Sequence, residues 1–166
     1  MNPSILKVRA DQSAIVSAVL SEAASWLIAR GEGLWRMEDV TPDAVNRDVA
    51  AGAYYAAWVG DEAAGVLRFQ LEDPQFWPDA TTGEAVYLHR FAVRRRHAGG
   101  IVSKALLSWT VQQAKELGRS AVRLDCALER PKLRGVYEKF GFRFHSERDM
   151  GRFRVARYQF DISSQA

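Results

Sequence analysis

The chain has 166 residues, 48% of them hydrophobic and 26% charged, and its formal net charge is +3. This length suits one two-layered domain, and the composition excludes a disordered chain. Its apolar runs are too short to cross a bilayer, and its one cysteine, Cys126, excludes an intramolecular disulfide and a cysteine-based metal cluster. We therefore expect a single cytoplasmic domain over residues 1–166, with no signal peptide, membrane partner or metal ion.

Periodicity, capping residues and turn residues predict the secondary structure. In chain order the predicted elements are a strand at 6–9, a helix to residue 29 that Asp11 or Ser13 caps and Gly31 and Gly33 end, a helix from Thr41-Pro42-Asp43 to residue 51, strands at 54–59, 64–70 and 84–93, a helix at 100–117, a strand at 121–125, a helix at 131–140, and strands at 142–147 and 152–161. The order β-α-α-β-β-β-α-β-α-β-β predicts an α/β fold of the mixed α+β kind, with helices on both faces of a mixed sheet.

The stretch from residue 88 to residue 107 is the most informative part of the chain. An apolar strand runs into three arginines, Arg94, Arg95 and Arg96, and then into two glycines at the start of an amphipathic helix. Backbone N–H groups at such a helix start point the same way, and the helix dipole adds positive potential. The turn therefore predicts a site for a phosphate or pyrophosphate, and we expect at least one of the arginines to contact it.

The same stretch resembles the coenzyme-binding motif of the GNAT superfamily of acyl-CoA-dependent N-acetyltransferases. That motif begins with a strand ending in Leu-x-Val, which Phe91-Ala92-Val93 fits, and continues five residues later with Arg/Gln-x-x-Gly-x-Gly/Ala. Here that window is residues 98–103, in which alanine, isoleucine and serine replace the usual side chains. Backbone groups bind the pyrophosphate, so the replacements are tolerable if the turn keeps φ below zero. At Ile101 we expect an ordinary helical or extended φ, because a β-branched side chain is strained at positive φ.

A second motif of the superfamily is the helix Asn-x-x-Ala-x-x-Tyr-Glu-Lys-x-Gly-Phe. Residues 137–142, Tyr-Glu-Lys-Phe-Gly-Phe, match its end closely, although Arg130 stands where asparagine is usual. The two motifs occur in the expected order, separated by one helix and one strand, and the resemblance covers essentially the whole chain. It implies a central mixed, mostly antiparallel sheet with helices on both faces.

The resemblance also implies that acetyl-CoA is the cosubstrate. The main chain of Phe91 and Val93 would pair with the pantetheine amides like an added strand, and an N–H near Phe91 would polarise the thioester carbonyl. The residues implied in coenzyme binding are Phe91, Ala92, Val93, Ala98, Gly99, Gly100, Ile101, Val102, Ser103, Lys104, Arg130, Leu133 and Tyr137.

For the chemistry, the resemblance implies direct transfer of an acetyl group to a primary amine in a ternary complex, without a covalent enzyme intermediate. Tyr137 is the candidate acid that returns a proton to the leaving thiolate. The candidate base is Glu84 or His89, acting directly or through water. Each residue also has a plainer interpretation: Tyr137 as a core side chain, Glu84 as a surface carboxylate and His89 as a structural histidine.

Several other side chains are better explained by packing. We expect Cys126 to be buried and unreactive, since no histidine or cation is adjacent in sequence. The aromatics Trp35, Tyr54, Phe76 and Trp77 are expected to lie partly in the core. The last two, in the loop 72–83, are also candidates to line an acceptor pocket.

Two other functions compete with acetyl transfer. One is a GNAT-like module that binds acyl-CoA without turnover. The other is a small basic nucleic-acid-binding protein, motivated by the arginine run 94–96, although aromatic residues do not alternate with the basic ones. No motif encodes the acceptor, so the expected partner is a small-molecule or peptide amine and not a nucleic acid. A homodimer would be the commonest closed assembly.

Overall fold

The computed structural model describes residues 2–32 and 35–162. Its strands and helices are β1 Ser4–Lys7, α1 Ser13–Ala29, α2 Pro42–Ala50, β2 Tyr54–Val59, β3 Glu62–Gln70, β4 Ala85–Val93, α3 Ile101–Glu116, β5 Ala121–Ala127, α4 Pro131–Phe140, β6 Arg143–Asp149 and β7 Arg154–Asp161. The predicted order of elements is confirmed, and α4 has the predicted bounds. The prediction that Gly33 helps to end the first helix lies outside the described residues.

Several predicted bounds are wrong by two residues: β3 begins earlier, β5 and β6 end later, and β7 begins later than predicted. Near the N-terminus the predicted caps are wrong as well. β1 lies two residues earlier than predicted, because its antiparallel ladder with β2 begins at Ser4. Neither Asp11 nor Ser13 caps α1, whose N-cap residue is Gln12 and makes no side-chain cap bond. The Asp11 carboxylate accepts a hydrogen bond from Arg9 Nε at 3.2 Å, and this pairing replaces the predicted cap.

The first of two compact units comprises Met1–Phe69 and Arg90–Leu106. Within it, β1, β2 and β3 form an antiparallel meander. Helix α2 begins as predicted, since the Thr41 hydroxyl accepts a hydrogen bond from Ala44 N at 3.2 Å. The core of this unit consists of buried side chains from α1, α2, β2 and β3, and removing their apolar surface from water supplies most of its stability.

The second unit comprises Gln70–His89 and Leu107–Ala166. Within it, β4 pairs in parallel with β5, β5 pairs antiparallel with β7, and β7 pairs antiparallel with β6. A small core forms around Trp77 and the first residues of β4 and β5. The ladder between β4 and β5 runs to Leu88 and Leu124, so His89 and Asp125 directly follow its last pair.

The seven strands follow the order β1-β2-β3-β4-β5-β7-β6, and β4 belongs to both units. The β4–β5 ladder is parallel, whereas β1–β2, β2–β3, β5–β7 and β6–β7 are antiparallel. The sheet is therefore mixed and mostly antiparallel, which confirms the predicted fold class. In the part of the chain that the structure describes, no helix has the length and apolar character to span a membrane.

Candidate active site

The glycine turn before α3 has an unusual backbone at one residue. A 3₁₀ turn at Arg95–His97 leads to Ala98 in an extended conformation and then to Gly99, whose φ of 70° lies in the left-handed region that favours glycine. Helix α3 then begins at Ile101. Among the described non-glycine residues only Arg90 has positive φ, so the expectation of an ordinary backbone at Ile101 is confirmed.

The backbone of this turn is open on its outer side. Within the described residues, a Cβ added at Gly99 would meet nothing within 4 Å, and one at Gly100 would meet only the His97 carbonyl oxygen at 3.8 Å. The first N–H groups of α3 have no acceptor within the helix, and they carry the positive end of its dipole. The Val102 side chain is buried, whereas Lys104 is exposed. An anion that approaches the turn therefore meets main-chain donors.

The three arginines beside the turn have partners within the protein, and two of them are paired with acidic side chains. Arg94 lies 3.2 Å from Glu22 and 3.5 Å from Glu62, and Arg96 is ion-paired with Glu62. The Arg95 guanidinium lies over a tryptophan ring of α1, 3.8 Å from its centroid. These five charged residues line a surface depression of about 520 Å³. The expected arginine–phosphate contact has no support here, because the arginines fix the turn through protein partners.

Strand β3 approaches the end of β4 very closely at Gly65. A Cβ at this position would lie 3.0 Å from the Ala92 carbonyl oxygen and 3.0 Å from a methyl group of Leu106. Only glycine fits this gap without displacing its neighbours. The contact fixes the last residues of β4, whose Phe91 and Val93 are half-buried.

A second group of functional side chains lies in the second unit, where the β4–β5 ladder ends. His89 Nε2 lies 2.7 Å from Asp73 Oδ2, and His89 Nδ1 lies 3.7 Å from Asp125 Oδ1. The three side chains are only 10%, 3% and 11% exposed, so water screens them weakly. When the ionised Asp73 accepts the Nε2 hydrogen, Nδ1 carries the lone pair and faces Asp125 across a gap too long for a direct hydrogen bond. We call these three residues the His89 cluster.

Imidazole and carboxylate groups are also metal ligands, and in the His89 cluster the ligand atoms lie within 4.8 Å of one another. The two carboxylates approach different ring nitrogens of His89, however, and the lone pairs of those nitrogens diverge. A single ion cannot bind one imidazole from both sides. The arrangement therefore fits a histidine that one carboxylate orients better than it fits a metal centre.

Glu84, the other candidate base, lies in a different setting. It precedes β4, about 17 Å before His89 along an extended strand. Its Oε2 accepts a hydrogen bond from Arg123 Nη1 at 3.1 Å, and that arginine is buried. The structure thus does not bring the two candidate bases together, and Glu84 is engaged in an ion pair that anchors the start of β4.

Tyr137 on α4 is buried, with 4% of its surface exposed. Burial raises the pKa of its phenol above the ordinary value, and the nearby Cys126 and Asp125 add to the shift, so the hydroxyl keeps its proton at neutral pH. Tyr137 is therefore within electrostatic reach of a carboxylate of the His89 cluster. Burial likewise raises the pKa of the Cys126 thiol to about 12, and the prediction that Cys126 is buried is confirmed.

The start of α4 holds the remaining predicted coenzyme residues. Arg130 is the N-cap residue and makes no side-chain cap bond, and both it and Leu133 are half-buried. Arg134 anchors this helix instead, since its Nε donates to the Tyr158 hydroxyl at 2.8 Å and its Nη1 to the Leu128 carbonyl at 3.1 Å.

The aromatic loop 72–83 contributes to the core of the second unit. The Trp77 ring is buried, and the guanidinium carbons of Arg123 and Arg157 lie 4.8 and 4.5 Å from its centroid. Arg157 Nη1 in turn donates to Asp79 at 2.8 Å. Trp77 thus lies in the core, and its role in lining an acceptor pocket stays a prediction. Phe76 packs 5.2 Å from the His89 ring.

Comparison with known families shows to which family the chain belongs. The model of the Acetyltransferase (GNAT) family matches residues 20–142, which is most of the chain. The chain belongs to the GNAT acetyltransferase family. The resemblance inferred from the residue 88–107 stretch and from the Tyr-Glu-Lys-Phe-Gly-Phe helix end is thereby confirmed.

Individual GNAT relatives are distant in sequence and close in fold. The chain is 26% identical over 137 residues to the uncharacterized N-acetyltransferase YesJ of Bacillus subtilis, covering 78% of this chain and 75% of YesJ. Its fold is similar to that of the PaiA N-acetyltransferase from Thermoplasma acidophilum in complex with coenzyme A, with a TM-score of 0.76, 13% identity, and coverage of 97% and 99%. It is also similar to YncA of Salmonella typhimurium with acetyl-CoA, with a TM-score of 0.73, 15% identity, and coverage of 100% and 97%.

Sequence reasoning missed both carboxylates of the His89 cluster in this GNAT protein. Asp125 was detectable in principle, because a parallel pairing of Leu88 with Leu124 places the next two residues side by side. Asp73 lies in the irregular loop before β4, and no local pattern connects it to His89. Only the folded loop brings its carboxylate to the imidazole.

Proposed function

We propose that the protein transfers an acetyl group from acetyl-CoA to a primary amine by direct attack in a ternary complex. The observation that carries the proposal is the open backbone at Gly99 and Gly100 before α3, in a chain of the GNAT family. PaiA and YncA, which share the fold, contain coenzyme A and acetyl-CoA. We infer the same cosubstrate here, bound by one domain over residues 1–166.

The coenzyme is proposed to bind mainly through the main chain. N–H groups of residues 98–104 would hold the pyrophosphate, because glycine at a helix start leaves oriented donors exposed to an anion. The main chain of Phe91 and Val93 would pair with the pantetheine amides. Side chains would contribute less to this binding. Residues 98–103 would therefore bind the pyrophosphate without the arginine and glycines that are usual in the motif.

The acceptor amine must lose a proton before it attacks, and we assign His89 as the base. Asp73, 2.7 Å away, holds the hydrogen of Nε2, so the lone pair of Nδ1 is available to take the proton. Asp125, 3.7 Å from Nδ1, supplies a negative charge that favours an ammonium group at the same place. Glu84 is the weaker candidate, because Arg123 engages its carboxylate.

The chemistry then needs one bond made and one broken. Attack by the neutral amine forms the C–N bond, and an N–H near Phe91 stabilises the oxyanion. Collapse of the intermediate breaks the C–S bond, Tyr137 gives its proton to the departing thiolate, and the second proton that the attacking nitrogen loses restores the Tyr137 phenol. Burial raises the pKa of this phenol, so Tyr137 is protonated when the reaction begins. Net, an ammonium and acetyl-CoA give an N-acetyl amine, coenzyme A and one proton.

A panel of primary amines tests the proposal through release of free coenzyme A from acetyl-CoA. We expect at least one amine to give saturable release together with its N-acetylated product, identified by mass spectrometry. Binding of coenzyme A without transfer to any amine would make the protein a binding module of this fold. Release of coenzyme A by hydrolysis alone would contradict direct transfer.

A further inference from the structure

Arg90 is a cation in a half-buried site of the first unit, immediately before the proposed pantetheine segment. Its Nη1 atom is buried and has no hydrogen-bond partner among the described residues. Its guanidinium lies over the ring of Trp35, 5.3 Å from the centroid. A buried donor on a charged group is costly when nothing accepts from it, so a ligand atom is the expected partner.

The backbone at Arg90 is also unusual. Its φ of 51° places an arginine in the left-handed region, which L-residues other than glycine, asparagine and aspartate seldom adopt. Such strain persists where the surrounding structure imposes it, and it clusters at functional sites. Here it coincides with a side chain that lies over the ring of Trp35.

Arg90 interacts electrostatically with the buried Tyr54 and with two carboxylates, and other arginines bind both carboxylates. Asp48 accepts from Arg68 Nη1 at 3.1 Å, and Asp39 accepts from Arg36 Nε and Nη2 at 3.1 Å each. Burial lowers the pKa of Arg90, although an arginine remains charged at neutral pH. The site therefore holds excess positive charge beside an aromatic wall.

We propose that Arg90 binds a carboxylate of the acceptor, which makes the acceptor an amino acid or another amine that also carries a carboxylate. The inference rests on the proposed function, since it names the acceptor of the same reaction. The planar guanidinium fork matches a carboxylate with two parallel hydrogen bonds. Pantetheine, which is proposed to lie next along β4, is uncharged, and the coenzyme phosphates are assigned to residues 98–104. The anion at Arg90 is therefore the acceptor's.

An equilibrium experiment tests the anion site without any turnover. The melting temperatures of the parent, Arg90→Gln and Arg30→Gln are measured in acetate and in chloride at constant ionic strength and pH. Arg30→Gln is the matched control, because this arginine also lies over a tryptophan ring, 4.7 Å from its centroid, but is exposed at the surface. Acetate should raise the melting temperature of the parent and of Arg30→Gln, and not that of Arg90→Gln. An equal shift in all three proteins, or no shift in the parent, would overturn the site.

A turnover experiment tests the acceptor. The L-amino acids are compared with their primary amides, which keep the amine and lose the carboxylate charge. In the parent we expect kcat/KM to be at least about thirtyfold higher for the best amino-acid acceptor than for its amide. A loss of this size is typical when a buried charge pair loses one partner. Arg90→Gln should abolish this preference, and Arg90→Lys should retain part of it. Amides that equal the acids in the parent would refute the proposal.

A third experiment, coenzyme A binding, distinguishes the two possible sources of the anion, the acceptor and the coenzyme. Arg90→Gln should bind coenzyme A with the affinity of the parent, and weaker binding would assign Arg90 to a coenzyme phosphate instead. If no amine is acetylated at all, the proposed function fails while the acetate experiment still decides the anion site. If plain amines are acetylated and carboxylate-bearing ones are not, the function stands and the role of Arg90 is refuted.

Discussion

The glycine turn before α3 and the His89 cluster are built on opposite principles. The turn offers main-chain donors, and Glu22 and Glu62 pair with Arg94 and Arg96 beside it. The His89 cluster is made of side chains that reach one place from a loop and two strands. Substitution should therefore act differently on the two: the turn tolerates changes of side-chain type and is sensitive to added bulk, whereas the cluster is sensitive to the loss of a single functional group.

The difference also separates binding from chemistry. Main-chain donors at a helix start act on an anion whether or not the substrate is reacting, so they lower the free energy of the ground state and the transition state together. A base and an acid act only when protons move. Changes in the turn should appear in Kd for the coenzyme, and changes in the cluster should appear in kcat.

The largest effect is expected for His89→Gln. Loss of the base should lower kcat by about a hundred- to ten-thousandfold with little change in coenzyme affinity, because glutamine cannot take a proton. Glu84→Gln is the matched control and should retain most activity. The measurement is steady-state acetyl transfer to a proven acceptor, combined with calorimetric titration of coenzyme A. A full loss in Glu84→Gln with normal rates in His89→Gln would exchange the two roles.

Tyr137→Phe should have a comparable or smaller effect, about a hundredfold on kcat, and should also spare coenzyme affinity. The ring keeps its packing against Phe142 and Tyr158, so the fold should change little. Only proton return to the thiolate is lost. Turnover equal to that of the parent would return Tyr137 to a packing role, and this outcome is read in the same assay after thermal melting has confirmed folding.

Gly100→Val should weaken coenzyme binding by about tenfold, which corresponds to about 1.4 kcal/mol, without loss of kcat at saturation. The added side chain has room in the free protein, where the one atom near its Cβ is 3.8 Å away, so any loss reports on the ligand. Ser108→Val adds a similar side chain at an exposed position of the same helix and should bind coenzyme A normally. Equal affinity in both variants would show that the phosphates lie elsewhere.

The smallest effect concerns Cys126, a buried residue that follows Asp125 and has no role in the proposed reaction. Its native pKa of about 12 exceeds the 9.0 of an ordinary thiol, so between these values the native state holds a proton that the unfolded state releases. Stability should therefore fall as pH rises from 9 towards 12, by up to about 1.4 kcal/mol per unit from this group. Urea unfolding of the parent and Cys126→Ala should show a shallower alkaline loss in the variant. Identical slopes would contradict the burial argument.

The fold was predictable because local signals agreed along the chain. Thr41 followed by proline starts α2, Gly141 ends α4, and alternation identifies β2 and β3. The observed bounds differ from the predicted ones where pairing with a distant strand sets the end of an element, as at β1. The glycine turn was predictable in the same way, since its donors belong to consecutive residues.

The side-chain sites were only partly predictable. His89 was visible as a candidate, but the carboxylates of Asp73 and Asp125 come to it from distant parts of the chain. The partners of the three arginines were hidden for the same reason, because Glu22 and Glu62 lie on α1 and β3. Nothing in a linear pattern indicated that Arg90 has positive φ or a buried Nη1.

Titration of coenzyme A into the parent protein tests the central claim most directly. Saturable binding with one site per chain should raise the melting temperature, since a ligand that binds only the native state adds about 2.7 kcal/mol of stability at a hundredfold excess over its Kd. We expect saturable binding of coenzyme A and a higher melting temperature. An unchanged melting temperature at millimolar coenzyme A would contradict coenzyme binding by this protein.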